Sequence, residues 1–162
     1  MNHIRIRISA QTLELLDDQD KVLRHYLVST SRRGVGERNG SYQTPRGRHI
    51  IRAKIGADAP VNTVFVKRRP TGEIYTPELG RLHPKRDWIL TRILWLSGCE
   101  PGFNRLGEVD TMRRFIYIHG SPDTAPMGTP SSIGCVRMHN DDLIELFDLV
   151  PIGMPVNIVE KD

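Results

Sequence analysis

The sequence predicts a mainly β domain with one or two short helices, and three observations carry that prediction. Ile4, Ile6 and Ile8 alternate with Arg5, Arg7 and Ser9, the period-two pattern of a strand with one buried face. The 14 glycines and 11 prolines are spread along the 162 residues rather than gathered in linkers, which implies many turns and few long helices. A helical period is convincing only over 140–149, where Leu143, Ile144, Leu146 and Phe147 mostly share one face.

In chain order, the strand at 4–8 is followed by a short one at 12–16. The acidic run Asp17-Asp18-Gln19-Asp20 turns the chain into a returning strand at 22–30. A polar, glycine-bearing loop covers 31–41, and Pro45 and Gly47 bend the chain into a strand around 49–55. Residues 60–69 form the next strand candidate, closed by the turn Pro70-Thr71-Gly72, and 76–87 read as an ordered loop. The apolar run at 87–96 is short and rich in β-branched and aromatic residues, so it is assigned as a strand. Strands at 115–119 and 156–159 complete the sheet. Asn140 is the expected N-cap of the helix, Asp141 and Asp142 suit its first turn, and Pro151 and Gly153 stop it.

Composition narrows the function classes. A chain of this length fits one domain, 1–162, and buries a core without disulfide staples. The net charge of +4 suits an anionic partner, but 19 acidic residues interleave with 23 basic ones, the pattern of a solvated basic surface. The basic stretch Arg81–Arg86 beside Trp88 lacks the spaced aromatics of a nucleic-acid face, so no nucleic-acid partner is expected. Cys99 and Cys135 make no C-x-x-C, and His119, Cys135 and His139 have no recognised ligand spacing, so neither metal nor cofactor is expected. The N-terminal residues lack the apolar core of a secretory signal, and no apolar run is long enough for a membrane span. The expected location is therefore the cytoplasm, or the periplasm if a leader has been removed.

The chemistry gathers in 117–140. His119 ends an apolar strand, and Cys135 follows sixteen residues later, after a Gly/Pro-rich excursion. A thiol near a helix start with an imidazole on a neighbouring strand is the arrangement of a cysteine nucleophile. The imidazole and the helix N-terminus are expected to lower the thiol's pKa, and Gly134 to let backbone N–H groups reach a substrate carbonyl. A backbone carbonyl, that of Gly120, is the candidate for orienting the imidazole. Arg137 is placed to clamp a substrate carboxylate or to support the loop. On the residues alone, a buried inert thiol and a nucleophile both stand as readings of Cys135.

The segments Ile118-His119-Gly120 and Ser132-Ile133-Gly134-Cys135-Val136-Arg137, with Tyr42-Gln43-Thr44-Pro45-Arg46-Gly47 upstream, resemble the YkuD-type L,D-transpeptidase catalytic domain over essentially the whole chain. The resemblance implies a β-sandwich of mixed sheets with a helix after the cysteine. It makes Cys135 the acylated nucleophile, His119 its general base and Gly120 the residue whose carbonyl orients His119. It also makes Ser132, Gly134 and Arg137 the shapers of the acyl site, with Tyr117 and Ser121 as further substrate-binding positions. Ile133 stands where many members carry histidine, so that imidazole is absent. The implied substrate is a peptidoglycan tetrapeptide or muropeptide, cleaved before its terminal D-alanine through a Cys135 thioester. For a chain without a leader, hydrolysis as an L,D-carboxypeptidase in murein recycling is the expectation, with L,D-transpeptidation as the alternative.

Overall fold

A computed structural model describes residues 1–161. Its strands are β1 (His3–Arg7), β2 (Thr12–Leu16), β3 (Val22–Ser29), β4 (Gly47–Ile55), β5 (Thr63–Val66), β6 (Arg69–Ile74), β7 (Ile89–Gly98), β8 (Tyr117–Gly120), β9 (Val136–Met138) and β10 (Pro155–Val159). The helices are α1 (Pro77–Leu82) and α2 (Asn140–Leu149). The strand order is β4-β10-β1-β2-β3-β9-β8-β7-β5-β6, and β4 pairs with β7 as well, so the mixed sheet curls back on itself. This is the mainly β, mixed-sheet architecture expected, with α2 following the cysteine.

The alternation in β1 does what its pattern requires. Ile4 and Ile6 are fully buried, while Arg5 and Arg7 turn outward onto Glu14 of the neighbouring β2. The run at 87–96 resolves as β7, pairing with β8, β5 and β4 in turn. Most of its side chains are buried on both faces, which is why it reads as continuous apolar sequence rather than as an alternation. From α2, Leu143, Leu146 and Phe147 enter the main core, and Lys54 Nζ donates to the carbonyls of Phe147 (2.6 Å) and Val150 (2.7 Å) at the helix end.

Four expectations are corrected. The loop at 76–87 contains α1, started by Thr76, whose Oγ1 accepts the Leu79 N–H at 3.1 Å, and by Pro77 in the first turn. The strand at 60–69 with a turn at 70–72 is instead the hairpin β5–β6, turning at Lys67-Arg68. Pro70 is tolerated because β6 ends the strand order and needs no donor on its outer side. The segment after Cys135 forms β9 before the helix begins. Finally, the N-cap of α2 is His139, without a side-chain capping bond, and Asn140 is the buried first helical residue.

Candidate active site

Strands β8 and β9 are parallel neighbours, in register Ile118↔Val136, His119↔Arg137 and Gly120↔Met138. Parallel strands need a crossover, and the Gly/Pro-rich residues 121–135 supply it. The excursion therefore has a structural purpose. It carries the chain from the histidine strand back to its start, and delivers Cys135 beside Tyr117.

His119 is fully buried, and its Nδ1 lies 2.6 Å from the Gly120 carbonyl oxygen. A carbonyl only accepts, so Nδ1 carries the proton and Nε2 keeps its lone pair, which among the described residues has no hydrogen-bond partner. Gly120 has no room for a side chain, since a Cβ there would run into Asn140 Oδ1 and approach the Leu90 carbonyl oxygen at 2.7 Å. Asn140 is the hub of this support. Its Oδ1 accepts from Thr91 Oγ1 at 2.7 Å, and its Nδ2 donates to the Ser121 carbonyl at 3.0 Å. Thr91 sits at φ 77° within a bulge of β7, a left-handed backbone that a β-branched residue adopts only under constraint.

The loop before the cysteine is held from several sides. Ser132 Oγ donates to the Cys135 carbonyl at 2.6 Å and accepts the Gly134 N–H at 3.2 Å. Thr44 Oγ1 donates to the Gly134 carbonyl at 2.9 Å and accepts the Ser31 N–H at 3.0 Å. The upstream Tyr42–Gly47 motif thus reaches the nucleophile loop through one buried threonine. Gly134 itself sits at φ 134°, and its N–H is committed to Ser132 rather than facing the cavity.

The Cys135 sulfur accepts the Tyr117 N–H at 3.3 Å and lies 3.4 Å from the Phe115 carbonyl, to which the thiol donates. It opens on a cavity of ≈ 380 Å³ lined by Tyr42, Lys67, Arg68, Asp87 and Arg114 among others. A second, apolar-walled depression of ≈ 340 Å³ at β1, β4 and β10, which includes Cys99, is remote from this chemistry.

The expected lowering of the thiol's pKa is not what the structure gives. Burial against Phe65, Ile93 and Tyr117 pushes the Cys135 thiol up to about 12, more than the Tyr117 N–H bond and the nearby Arg137 and Arg114 pull it back. Burial likewise holds His119 below its ordinary value, partly offset by the Asp87 carboxylate and the Gly120 bond. Cys135 and His119 therefore rest as a neutral thiol and a neutral imidazole, and α2 starts too far along the chain to alter that.

The remaining residues take supporting places. Arg137 donates to Asp87 Oδ1 at 2.9 Å and to the Ser131 carbonyl at 3.2 Å, so it supports the loop rather than presenting a free clamp. Ser121 and Ser132 are buried and do not line the cavity; Ser121 Oγ donates to the Met138 carbonyl at 3.1 Å. Tyr117 and the exposed Ile133 do line it. Sequence reasoning missed Asp87, Arg68 and Asn140 as a side-chain hub, none of which carries a local signal for that role beyond its residue type, and it quoted Thr44 within the upstream motif without giving it a role.

A thiol and a tautomer-fixed imidazole on adjoining parallel strands of a mixed sheet define a cysteine-nucleophile site. The family model for the YkuD L,D-transpeptidase catalytic domain matches residues 1–158, and the chain belongs to that family. The Escherichia coli protein named probable L,D-transpeptidase YbiS is 27% identical over 128 residues, covering 74% of this chain and 41% of that one. Among solved structures, LD transpeptidase LdtMt1 in complex with imipenem superposes with a TM-score of 0.59 at 20% identity, over 98% of this chain and 58% of the other. L,D-transpeptidase 3 from Mycobacterium tuberculosis, in complex with a faropenem-derived adduct, gives 0.59 at 17% identity, over 98% and 60%. At these identities the two structures speak to the fold. This chain spans less than half the length of YbiS and about six-tenths of each structural relative.

Proposed function

We propose that this domain performs cysteine-dependent acyl transfer on peptidoglycan stem peptides, cleaving the L,D bond before the terminal D-alanine of a tetrapeptide. The observation that carries the reading is the bond from His119 Nδ1–H to the Gly120 carbonyl, which leaves Nε2 as the base, on the strand beside the cavity-facing Cys135. In the first half-reaction the thiol proton passes to His119 Nε2 as sulfur attacks the carbonyl carbon of the third residue. The C–N bond then breaks, and the imidazolium returns the proton to the departing D-alanine amine, leaving a thioester on Cys135. In the second half-reaction His119 takes a proton from the acceptor as its oxygen or nitrogen bonds to the thioester carbonyl carbon, the C–S bond then breaks, and the proton goes back to sulfur.

Water as acceptor gives a tripeptide, the L,D-carboxypeptidase reaction, which we take as the primary reading. It is supported by a cavity that leaves the thiol partly open to solvent, with Tyr42, Phe115 and Ile133 exposed around it. An amine acceptor gives a 3→3 crosslink or D-amino-acid exchange, the reading favoured by the relatives' names. The experiment incubates the protein with a disaccharide-tetrapeptide, with and without a D-amino acid, and reads products by mass spectrometry. Tripeptide alone supports hydrolysis, and exchanged or dimeric products support transpeptidation. Turnover retained in Cys135→Ala would overturn the mechanism. A cytoplasmic, recycling role belongs to the same proposal, and cell fractionation that places the protein outside the cytoplasmic membrane would remove it while leaving the chemistry intact.

A further inference from the structure

Most of the structure's half-buried arginines already have anionic partners. Arg137 is paired with Asp87, Arg46 with Glu37 and Arg86 with Glu73. Arg68 stands apart. Among the described residues no carboxylate pairs with it, although it lines the same cavity as Cys135. Its guanidinium is nevertheless held from three sides. Nη1 donates to Tyr117 Oη at 3.0 Å, and the group stacks at 4.8 Å over both Trp95 and Phe115. Tyr117 is also the residue whose N–H bonds the Cys135 sulfur, so a single residue links the cation to the nucleophile.

The backbone adds a second, independent observation. Lys67 and Arg68 are the turn of the β5–β6 hairpin, between the register partners Val66 and Arg69, at φ 49° and 65°. A two-residue turn with both φ values positive normally takes asparagine and glycine, whose side chains tolerate it. Two long cationic residues fit it poorly, and strain of this kind is typically retained where it serves a site. Arg114, another cation of the cavity, is occupied by the carbonyls of Gly36 (3.2 Å) and Gln43 (2.6 Å), which leaves the hairpin tip to supply an open positive charge.

We propose that Arg68 is the carboxylate anchor of the acyl-donor site: oriented by Tyr117, Trp95 and Phe115, it binds a carboxylate of the stem peptide alongside the carbonyl that Cys135 attacks. The proposal rests on the acyl-transfer reading above. A planar guanidinium with one edge fixed keeps its remaining N–H groups for a bidentate acceptor, and carboxylate is the anion a stem peptide offers. The substrate offers two carboxylates for this role: the terminal carboxylate of the D-alanine, beside the scissile nitrogen, and the carboxylate at the far end of the side chain of a diaminopimelate third residue.

The test compares kcat/KM for a tetrapeptide with each of these carboxylates free or amidated, in the wild type, Arg68→Gln and Arg68→Lys. The wild type is expected to prefer the acid over the amide at least tenfold in one of the two pairs, and that pair identifies the carboxylate bound. Arg68→Gln should lose the preference, slowing the acid form at least tenfold more than the amide form. Arg68→Lys should keep part of the preference. The amide substrate is the internal control, because a variant that merely disturbs Tyr117 or the fold slows both forms alike. Equal slowing of both forms, or an acid preference that survives in Arg68→Gln, overturns the anchor while leaving the acyl-transfer reading in place. A wild-type protein that turns over none of the four substrates overturns that reading, and the anchor with it.

Discussion

The resting state of Cys135 can be tested by a pH sweep of its alkylation by iodoacetamide, with peptide mapping to separate it from Cys99. A thiol held at about 12 exposes roughly 3,000-fold less thiolate at pH 7.5 than free cysteine, which titrates near 8.5. The more basic sulfur is the better nucleophile, with a Brønsted slope of about 0.4–0.5, and this returns a factor of roughly 25–55. Alkylation at pH 7.5 should therefore run on the order of 100-fold slower than for a free cysteine. The rate should also climb about tenfold per pH unit from 7 to 10 without levelling, as expected for a group titrating well above the window. The slope matters more than the absolute rate, because steric shielding by Tyr42 or Phe115 lowers every point alike. A plateau beginning near pH 6–7 would mean a resting thiolate–imidazolium pair, and the neutral pair described here would be wrong.

Three further outcomes follow from the same geometry. Gly120→Ala places a Cβ against Asn140 Oδ1 and the Leu90 carbonyl, so overpacking should cost about 1–3 kcal/mol. Thermal melting should show a Tm lower by roughly 3–10 °C, with turnover falling further because the carbonyl that orients His119 must move. Asp87→Asn removes the carboxylate that raises both His119 and Cys135. The acid limb of kcat/KM should therefore shift to lower pH and alkylation of Cys135 should speed up; an acid limb moving upward would refute this. His49 is buried, its Nε2 lies 2.9 Å from Thr111 Oγ1, and burial lowers its pKa to about 4. Because the unfolded chain binds that proton first, stability is complete above about pH 6.5 and falls by about 3 kcal/mol as pH drops to 4. Urea titrations at pH 7.5 and 4.5 measure the loss, which His49→Gln should largely abolish.

Much of the fold was legible because local signals and tertiary context agree in this chain. The alternation of Ile4 and Ile6 survives into β1, and α2 covers the residues whose period announced it. The failures are local signals that another force overrides. Pro70-Thr71-Gly72 has turn chemistry, but an edge strand accommodates it, and the turn moves to two residues no propensity would select. Strand β9 is three residues long, too short to show a period, and exists because β8 and β3 offer it partners. At the site, His119, Gly120 and Cys135 were readable as residue types in order. The sign of the thiol's pKa was not, because it depends on side chains from β5, β7 and β8 that close around the sulfur and outweigh the imidazole. Asp87 and Arg68 lie far from the motif in sequence and reach the cavity only through folding.

The double pairing of β4, with β10 through its first residues and β7 through the rest, has a consequence for how copies of this chain meet one another. An open sheet ends in two rows of free amides and carbonyls, each a template for a foreign strand. Here one of those ends is closed onto β7, and the strand order terminates at β6. That rim is short, interrupted by Pro70, and flanked by Arg69 and by Glu73, which is paired with Arg86 at 2.7 Å. Crowded against its own kind, the chain offers a proline-broken, charged border on which a β-ladder has little to build.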